Sequence, residues 1–131
     1  MEVWQTNDDG FYDVQQPGEQ PAMNMRGIFT ADADGRYSFV TVKPRPYSIP
    51  TDGPVGAMLT TMGRSAMRPA HIHYMVIAPG YETLITHIFP RDDPYLDSDA
   101  VFGVKESLIV DFAHGADGWS VDFDIILKKI D

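Results

Sequence analysis

The segment AHIHYMVIAPGYETLITHIF, residues 70–89, contains two runs of β-branched, aliphatic and aromatic residues separated by Pro-Gly-Tyr. Two such runs around a Pro-Gly turn predict a β-hairpin. Residues i and i+2 of a strand point to the same face, so His71 and His73 are expected to project together. His87 lies on the second arm. A turn of odd length would place it opposite His73, and a turn of even length would direct it away.

Turn-rich stretches divide the rest of the chain in a similar way. ADADG (31–35) separates MNMRGIFT (23–30) from RYSFVTV (36–42), and AHGADG (113–118) separates SLIVDF (107–112) from WSVDFDIIL (119–127). Short strands at nearly regular spacing favour an all-β antiparallel sandwich or barrel. GPVGAMLTTMGR (53–64), with apolar residues at helical spacing, predicts one short helix, and the acidic stretch 89–105 predicts a long loop with one helical turn.

The composition excludes several classes of function. A chain of 131 residues suits a single domain, residues 1–131, and its 10 Lys and Arg against 19 Asp and Glu give a net charge of −9. That charge repels phosphate backbones and anionic lipid, so neither nucleic acid nor membrane is an expected partner. The chain has no cysteine, which excludes thiolate catalysis and Cys-ligated metals. Without a recognisable signal peptide, the sequence predicts a cytoplasmic protein.

Two same-face histidines are by themselves weak support for a metal site, because most such pairs are core or surface residues. Arg68 precedes the pair, and its guanidinium would place a positive charge beside it. A cupin site would need a glutamate shortly after the histidines, where Ile77 and Ala78 stand instead, so the cupin hypothesis is disfavoured. Tyr47 lies between two prolines and is held rigidly, as either a metal ligand or a packed aromatic.

Five stretches, taken together and in this order, resemble the intradiol ring-cleaving dioxygenases, and most closely their hydroxyquinol and chlorocatechol branch. They are EVWQTNDDGFYD (2–13), GIFTADADGRYSF (27–39), VKPRPYSIPTDGPVG (42–56), GRSAMRPAHIHYMVIAPGY (63–81) and YLDSDAVFGVK (95–105). The resemblance covers nearly the whole chain and implies an antiparallel β-sandwich with one short helix and long loops. It also implies cleavage of a catechol, hydroxyquinol or chlorocatechol by O2 between the two hydroxyl-bearing carbons, giving a cis,cis-muconate.

The same resemblance implies a non-haem Fe(III) cofactor bound by Tyr12, Tyr47, His71 and His73. Two phenolates favour Fe(III) over Fe(II), and the imidazoles would supply neutral nitrogen donors. Tyr47 matches the family's ligand that leaves the metal and accepts a substrate proton. Arg68 would stabilise the negatively charged substrate.

Other implications of the resemblance concern His87 and assembly. The position of His87 is typically a glutamine in catechol dioxygenases, so this histidine is either a catalytic residue beside the metal ligands or a surface histidine. His114 is expected to be an ordinary turn residue. Full-length members carry upstream dimerisation helices and the first strands, so the chain is expected to be a catalytic core that forms homo-oligomers, if any, through a non-standard interface. The sequence leaves two alternatives open: a metal-binding β-sandwich without ring-cleavage activity, and a zinc or copper site.

Overall fold

A computed structural model describes residues Met1–Ile130, and most of its regular structure is β. The single α-helix among these residues is α1 (Pro54–Thr61), and single 3₁₀ turns occur at Leu96–Ser98 and Glu106–Leu108. The strands are β1 (Glu2–Trp4), β2 (Arg26–Ile28), β3 (Tyr47–Ser48), β4 (Met67–Arg68), β5 (Ile72–Val76), β6 (Leu84–Pro90), β7 (Ile109–Val110), β8 (Ala113–Gly115) and β9 (Gly118–Ser120). No helix among residues 1–130 is long and apolar enough to cross a bilayer.

The chain divides into two compact units, and the first consists of Met1–Pro44, Ile72–His87 and residues from 122 onward. Its central strand is β1, which pairs antiparallel with both β2 and β5. The register sets Trp4 opposite Arg26 on one side and His73 on the other. Facing residues of adjacent strands have side chains in contact range, so these three form one row.

The predicted hairpin over 70–89 is confirmed, with β6 next to β5 in the sheet. Buried and less buried residues alternate along β5: Ile72, Tyr74 and Val76 are buried, whereas His73 is not. Tyr74 packs among the rings of Tyr37, Phe39 and Phe123. The apolar face of β5 therefore forms the core of this unit, and its opposite face carries His73.

The second unit, Arg45–His71 and Ile88–Val121, contains the predicted helix. Gly53 has an extended backbone at the N-cap of α1, and Pro54 follows at the first helical position, where proline is favoured. Leu59 of the helix is buried, as are Ile88 and Phe89 in the same unit. Strands β3 and β4 pair antiparallel.

Two of the predicted hairpins form only in part. The ADADG turn closes with Asp32 N–H donating to Arg36 O, but its second arm forms no strand, because no backbone among residues 1–130 pairs with it in a ladder. The third hairpin is shorter than predicted and lies within and just after AHGADG, where β8 pairs with β9. His114 therefore lies on a strand opposite Trp119 and not in a turn. The strand in SLIVDF is β7, which pairs in parallel with the end of β6.

Candidate metal centre

In the second unit, Tyr47, Arg68 and His71 form one cluster. The register of β3 and β4 sets Tyr47 opposite Arg68. The Tyr47 hydroxyl lies 3.5 Å from His71 Nε2, and Arg68 Nη1 lies 3.2 Å from the same nitrogen. The structure thus brings together three of the residues that the sequence singles out.

The imidazole of His71 is held in one tautomer. Its Nδ1 lies 2.7 Å from the backbone oxygen of Pro69, which accepts but cannot donate a hydrogen bond. Nδ1 therefore carries the proton, and Nε2 keeps its lone pair. The Arg68 guanidinium, which can only donate, faces Nε2 and is consistent with the same assignment. A backbone carbonyl on the remote nitrogen is the arrangement that metal-binding histidines commonly have.

Asp99 fixes the guanidinium of Arg68. Arg68 Nε donates to Asp99 Oδ1 at 3.1 Å and Nη2 donates to Oδ2 at 3.4 Å. Both residues are buried, with 8% of Arg68 exposed. Because Asp99 engages Nε and Nη2, Nη1 is the nitrogen directed toward His71.

The loop after Asp99 completes the surroundings of this carboxylate. The backbone N–H groups of Val101 and Gly103 donate to its two oxygens at 3.3 and 2.8 Å. Burial by itself would raise the pKa of Asp99, but its hydrogen bonds with Arg68 and with these amides lower the pKa below the ordinary value. For Arg68, burial opposes the charge, yet the bonds with Asp99 and the proximity of Tyr47 raise its pKa. The pair is ionised at neutral pH.

In the first unit, Tyr12 and His73 form the second phenol–imidazole pair. The Tyr12 hydroxyl lies 3.1 Å from His73 Nε2. The loop that presents Tyr12 is held by amide side chains: Gln15 Oε1 accepts from the N–H of Tyr12, and Gln20 Nε2 donates to its carbonyl oxygen at 2.7 Å. Asn7 Oδ1 accepts from the N–H of Phe11 and closes the preceding turn. Polar side chains thus fix the backbone on both sides of the phenol.

Two further rings contact the imidazole of His73. Trp4 stacks on it with centroids 4.9 Å apart and planes at 6°. His87 meets it edge-on, with centroids 5.3 Å apart and planes at 74°. The ring of His87 therefore lies against the ring of His73.

These donors fit ferric iron by their chemistry. Two phenols and two imidazoles, with Nε2 of His71 fixed as a lone-pair donor, match the hard anionic and borderline nitrogen ligands that trivalent iron accepts. Among residues 1–130 no group of three or more His, Cys, Asp or Glu side chains is placed to hold a metal. A site of two tyrosines and two histidines contains only two residues of those types.

Comparison with known proteins identifies the family. The dioxygenase family model "Dioxygenase_C" matches residues 1–129. The chain belongs to the intradiol dioxygenase family. Its β-sandwich fold class follows from the solved relatives, among them a hydroxyquinol 1,2-dioxygenase from Pseudomonas putida DLL-E4 with a TM-score of 0.91, 46% identity and coverage of 98% of this chain and 49% of that one.

Curated members of the intradiol family are also similar to this chain. A hydroxyquinol 1,2-dioxygenase of Rhizobium sp. (strain MTP-10005) is 54% identical over 98% of this chain and 48% of its own length. A 6-chlorohydroxyquinol 1,2-dioxygenase of Cupriavidus pinatubonensis (strain JMP 134) is 52% identical over 98% of this chain and 46% of its own length. The chain spans about half the length of the curated relatives that it matches.

Sequence reasoning missed three residues that contact the candidate ligands or Arg68: Trp4, Phe89 and Asp99. Phe89 packs against His71 with ring centroids 5.7 Å apart. A buried arginine needs a carboxylate, which points to the acidic stretch 89–105, but that stretch contains four aspartates. The feature of the sequence that could have identified Trp4 is its position in a strand that ends just before the Tyr12 loop.

Proposed function

We propose that this chain is the catalytic part of an Fe(III)-dependent intradiol dioxygenase that cleaves catechol-type diols with O2. Family membership and the presence of all four candidate ligands support the proposal. The observation that carries it is the pairing of each candidate imidazole with a candidate phenolate, Tyr12 with His73 and Tyr47 with His71, through Nε2.

We propose further that the two pairs serve a single ferric ion. Only Ile72 separates His71 from His73, so their Cα atoms can lie no more than about 7 Å apart. With Nδ1 of His71 bonded to Pro69 O, its Nε2 is free of a proton and can donate its lone pair. Bound there, ferric iron would supply the Lewis acidity that takes up the deprotonated diol and prepares its ring for O2.

The protein's own groups then have distinct roles. Tyr47 Oη accepts a proton from a substrate hydroxyl, as a general base does. The Nη1 group of Arg68 stabilises negative charge on the substrate, and its fixed orientation on Asp99 means that little reorganisation is needed. His87 contacts the His73 imidazole edge-on, whereas Trp4 stacks on the same imidazole. His87 is the remaining member of the proposed catalytic set.

Hydroxyquinol-type diols are the proposed substrates. The two curated relatives described above are named for hydroxyquinol and 6-chlorohydroxyquinol, and both share more than half of their aligned residues with this chain. Catechol and chlorocatechol are the related substrates to compare. A cytoplasmic location and self-association through a non-standard interface remain predictions from the sequence.

The test is ferric loading followed by visible spectroscopy and oxygen uptake. Tyrosinate bound to Fe(III) absorbs visible light, so the loaded protein is expected to be coloured and to consume O2 with hydroxyquinol faster than with catechol. Tyr47→Phe is expected to shift or bleach the visible band and abolish turnover, because it removes both a ligand and the proton acceptor. Tyr81→Phe, a tyrosine in the β5–β6 turn, is the matched control and is expected to retain colour and turnover.

The outcomes separate the alternatives. A colourless preparation that takes up no ferric iron contradicts the dioxygenase proposal, and selective uptake of zinc or copper favours a different metal site. A coloured protein that consumes no O2 with any of the three diols indicates a metal-binding module without ring cleavage. Equal turnover by Tyr47→Phe shows that Tyr47 is neither ligand nor base.

A further inference from the structure

A row of four side chains crosses the sheet of the first unit. Trp4 on β1 faces Arg26 on β2 and His73 on β5 in the strand register. The guanidinium carbon of Arg26 lies 5.3 Å from the centre of the Trp4 ring, within cation–π range. From Trp4 the row continues to His73, whose ring stacks on the indole with centroids 4.9 Å apart. It ends at His87, whose ring centroid lies 5.3 Å from that of His73.

Arg26 is itself held by two carboxylates. Its Nε and Nη2 donate to the two oxygens of Asp13 at 2.8 and 3.0 Å, and its Nη1 donates to Glu2. The Asp13 side chain is only 6% exposed. Asp13 directly follows Tyr12 in the sequence. One guanidinium therefore contacts both the ring behind His73 and the carboxylate next to Tyr12.

We propose that Trp4 and Arg26 are positioning residues for the metal ligands of the first unit: Trp4 sets the plane of the His73 imidazole, and Arg26 ties Trp4 to the Tyr12 loop. The proposal rests on the proposed function, because it takes His73 and Tyr12 as ligands. Neither Trp4 nor Arg26 is proposed to touch iron or substrate.

The physical argument concerns the direction of a lone pair. An imidazole donates to a metal in the plane of its ring, so rotation about χ2 misdirects Nε2. Terminal sp³–sp² torsions such as this one are intrinsically broad. A parallel indole at 4.9 Å and an edge-on imidazole at 5.3 Å restrict that rotation from both sides. Groups that orient metal ligands in this way typically change metal affinity by about 10–100-fold when removed.

The same contacts would also exist if Trp4 were only a packing residue. In that case its loss lowers the stability of the apoprotein but leaves the affinity of the folded protein for iron, and the ligand field, unchanged. The two roles therefore differ in the ferric dissociation constant and in the position of the visible band at saturating iron, both measured on folded protein.

The experiment uses matched pairs of variants loaded with ferric iron in competition with a chelator. Trp4→Leu removes the stacked ring, and Trp4→Phe retains a smaller one. Trp119→Leu makes the same change at the chain's other tryptophan, which is 49% exposed and stacks edge-on against His114. Arg26→Lys keeps the charge but loses the two-point bond to Asp13. Arg91→Lys makes the same substitution at an exposed arginine that also binds two carboxylates.

We expect Trp4→Leu to weaken ferric binding about 10–100-fold and to shift the visible band at saturation. Trp4→Phe should recover most of the affinity, and Arg26→Lys should show a smaller loss of the same kind. Trp119→Leu and Arg91→Lys should match the wild type within about twofold. Circular dichroism of each apoprotein establishes that the compared variants are folded.

The results distinguish this inference from the proposed function. A wild-type protein that binds no ferric iron contradicts the proposed function and, with it, the ligand role of His73. A wild-type protein that binds iron, together with folded Trp4→Leu and Arg26→Lys variants of equal affinity and identical band position, overturns the positioning role alone. If Trp4→Leu does not fold, Trp4→Phe and Arg26→Lys decide the question by the same two measurements.

Discussion

At the scale of single residues, the buried Arg68–Asp99 pair shows how a charge is kept in place beside the candidate ligands. Removing two charges from water is expensive, and a buried ion pair is often no more stabilising than apolar residues of the same size. Here each carboxylate oxygen of Asp99 accepts two hydrogen bonds, one from Arg68 and one from a backbone amide. The arrangement specifies the direction of Nη1, which is the property that a catalytic cation requires.

Replacing Asp99 by Asn is expected to destabilise the protein by about 3 kcal/mol at pH 7, because the Arg68 charge would stay buried without a counter-ion. The pKa of Asp99 is lowered below 3.8 in the folded state, so its contribution is complete above the unfolded-state pKa and is lost as pH falls through the lower folded-state value. The wild type should therefore lose more stability than Asp99→Asn between about pH 5 and pH 2. Urea unfolding across this range measures both effects. Asp97→Asn, an exposed neighbour, is the control, and equal pH profiles for wild type and Asp99→Asn would contradict the prediction.

The four candidate ligands were assigned from the resemblance of the sequence to the family, whereas the residues that contact them could not be assigned from the sequence. His71 and His73 are separated by one residue, and strand periodicity predicts that they project together, but β5 begins at Ile72, so only His73 lies on the strand. Asp99 lies 31 residues from Arg68, and nothing local distinguishes it from Asp92, Asp93 or Asp97. Trp4 contacts His73 because of the register between two strands that lie 69 positions apart in the sequence. Only the fold determines that register.

At the scale of elements, the predictions succeeded where a segment supplies its own partner. The β5–β6 hairpin pairs with itself, and α1 makes its hydrogen bonds internally, so both were predictable. The runs 36–42 and 119–127 have β-type composition, but a strand also needs a neighbouring backbone. Tyr37 instead donates its hydroxyl to the carbonyl of Phe123 at 2.7 Å. The rings of Tyr37 and Phe123 pack against Tyr74, although the two runs form no ladder of backbone hydrogen bonds with each other among residues 1–130.

The start of α1 depends on a glycine inside the helix. A Cβ on Gly56 would lie 2.1 Å from the backbone oxygen of Thr51, a distance that no side-chain adjustment can relieve. Gly56→Ala is therefore expected to destabilise the protein by about 1–3 kcal/mol, although alanine is the better helix former. Gly53→Ala, whose Cβ would meet nothing within 4 Å, should cost less than about 1 kcal/mol. Thermal unfolding of the two variants provides the comparison, and a stabilised Gly56→Ala would contradict the close packing.

At the scale of the whole molecule, the candidate ligands are distributed over both compact units. Tyr12 and His73 belong to one, and Tyr47 and His71 belong to the other, so the chain passes from one unit to the other between His71 and Ile72. Each unit holds its phenol with its own interactions: amide side chains position Tyr12, and the β3–β4 register positions Tyr47. If one ferric ion takes all four donors, as proposed, its binding stabilises the surroundings of every ligand, whereas separate ions would each stabilise only one phenol–imidazole pair.

Hydrogen exchange with and without ferric iron tests this coupling. A ligand at 100 times its dissociation constant stabilises the folded state by about 2.7 kcal/mol, which limits the added protection to about 100-fold. We expect slower amide exchange around Tyr12 and along β5 in the first unit, and along β3 and β4 in the second. The β8–β9 hairpin, an exposed part of the second unit, is the internal control and should exchange at an unchanged rate. Tyr47→Phe should reduce the protection around all four proposed ligands together, because a shared ion loses affinity for all its ligands. Protection confined to one phenol–imidazole pair, or a Tyr47→Phe effect limited to β3 and β4, would show that the two pairs do not bind the same ion.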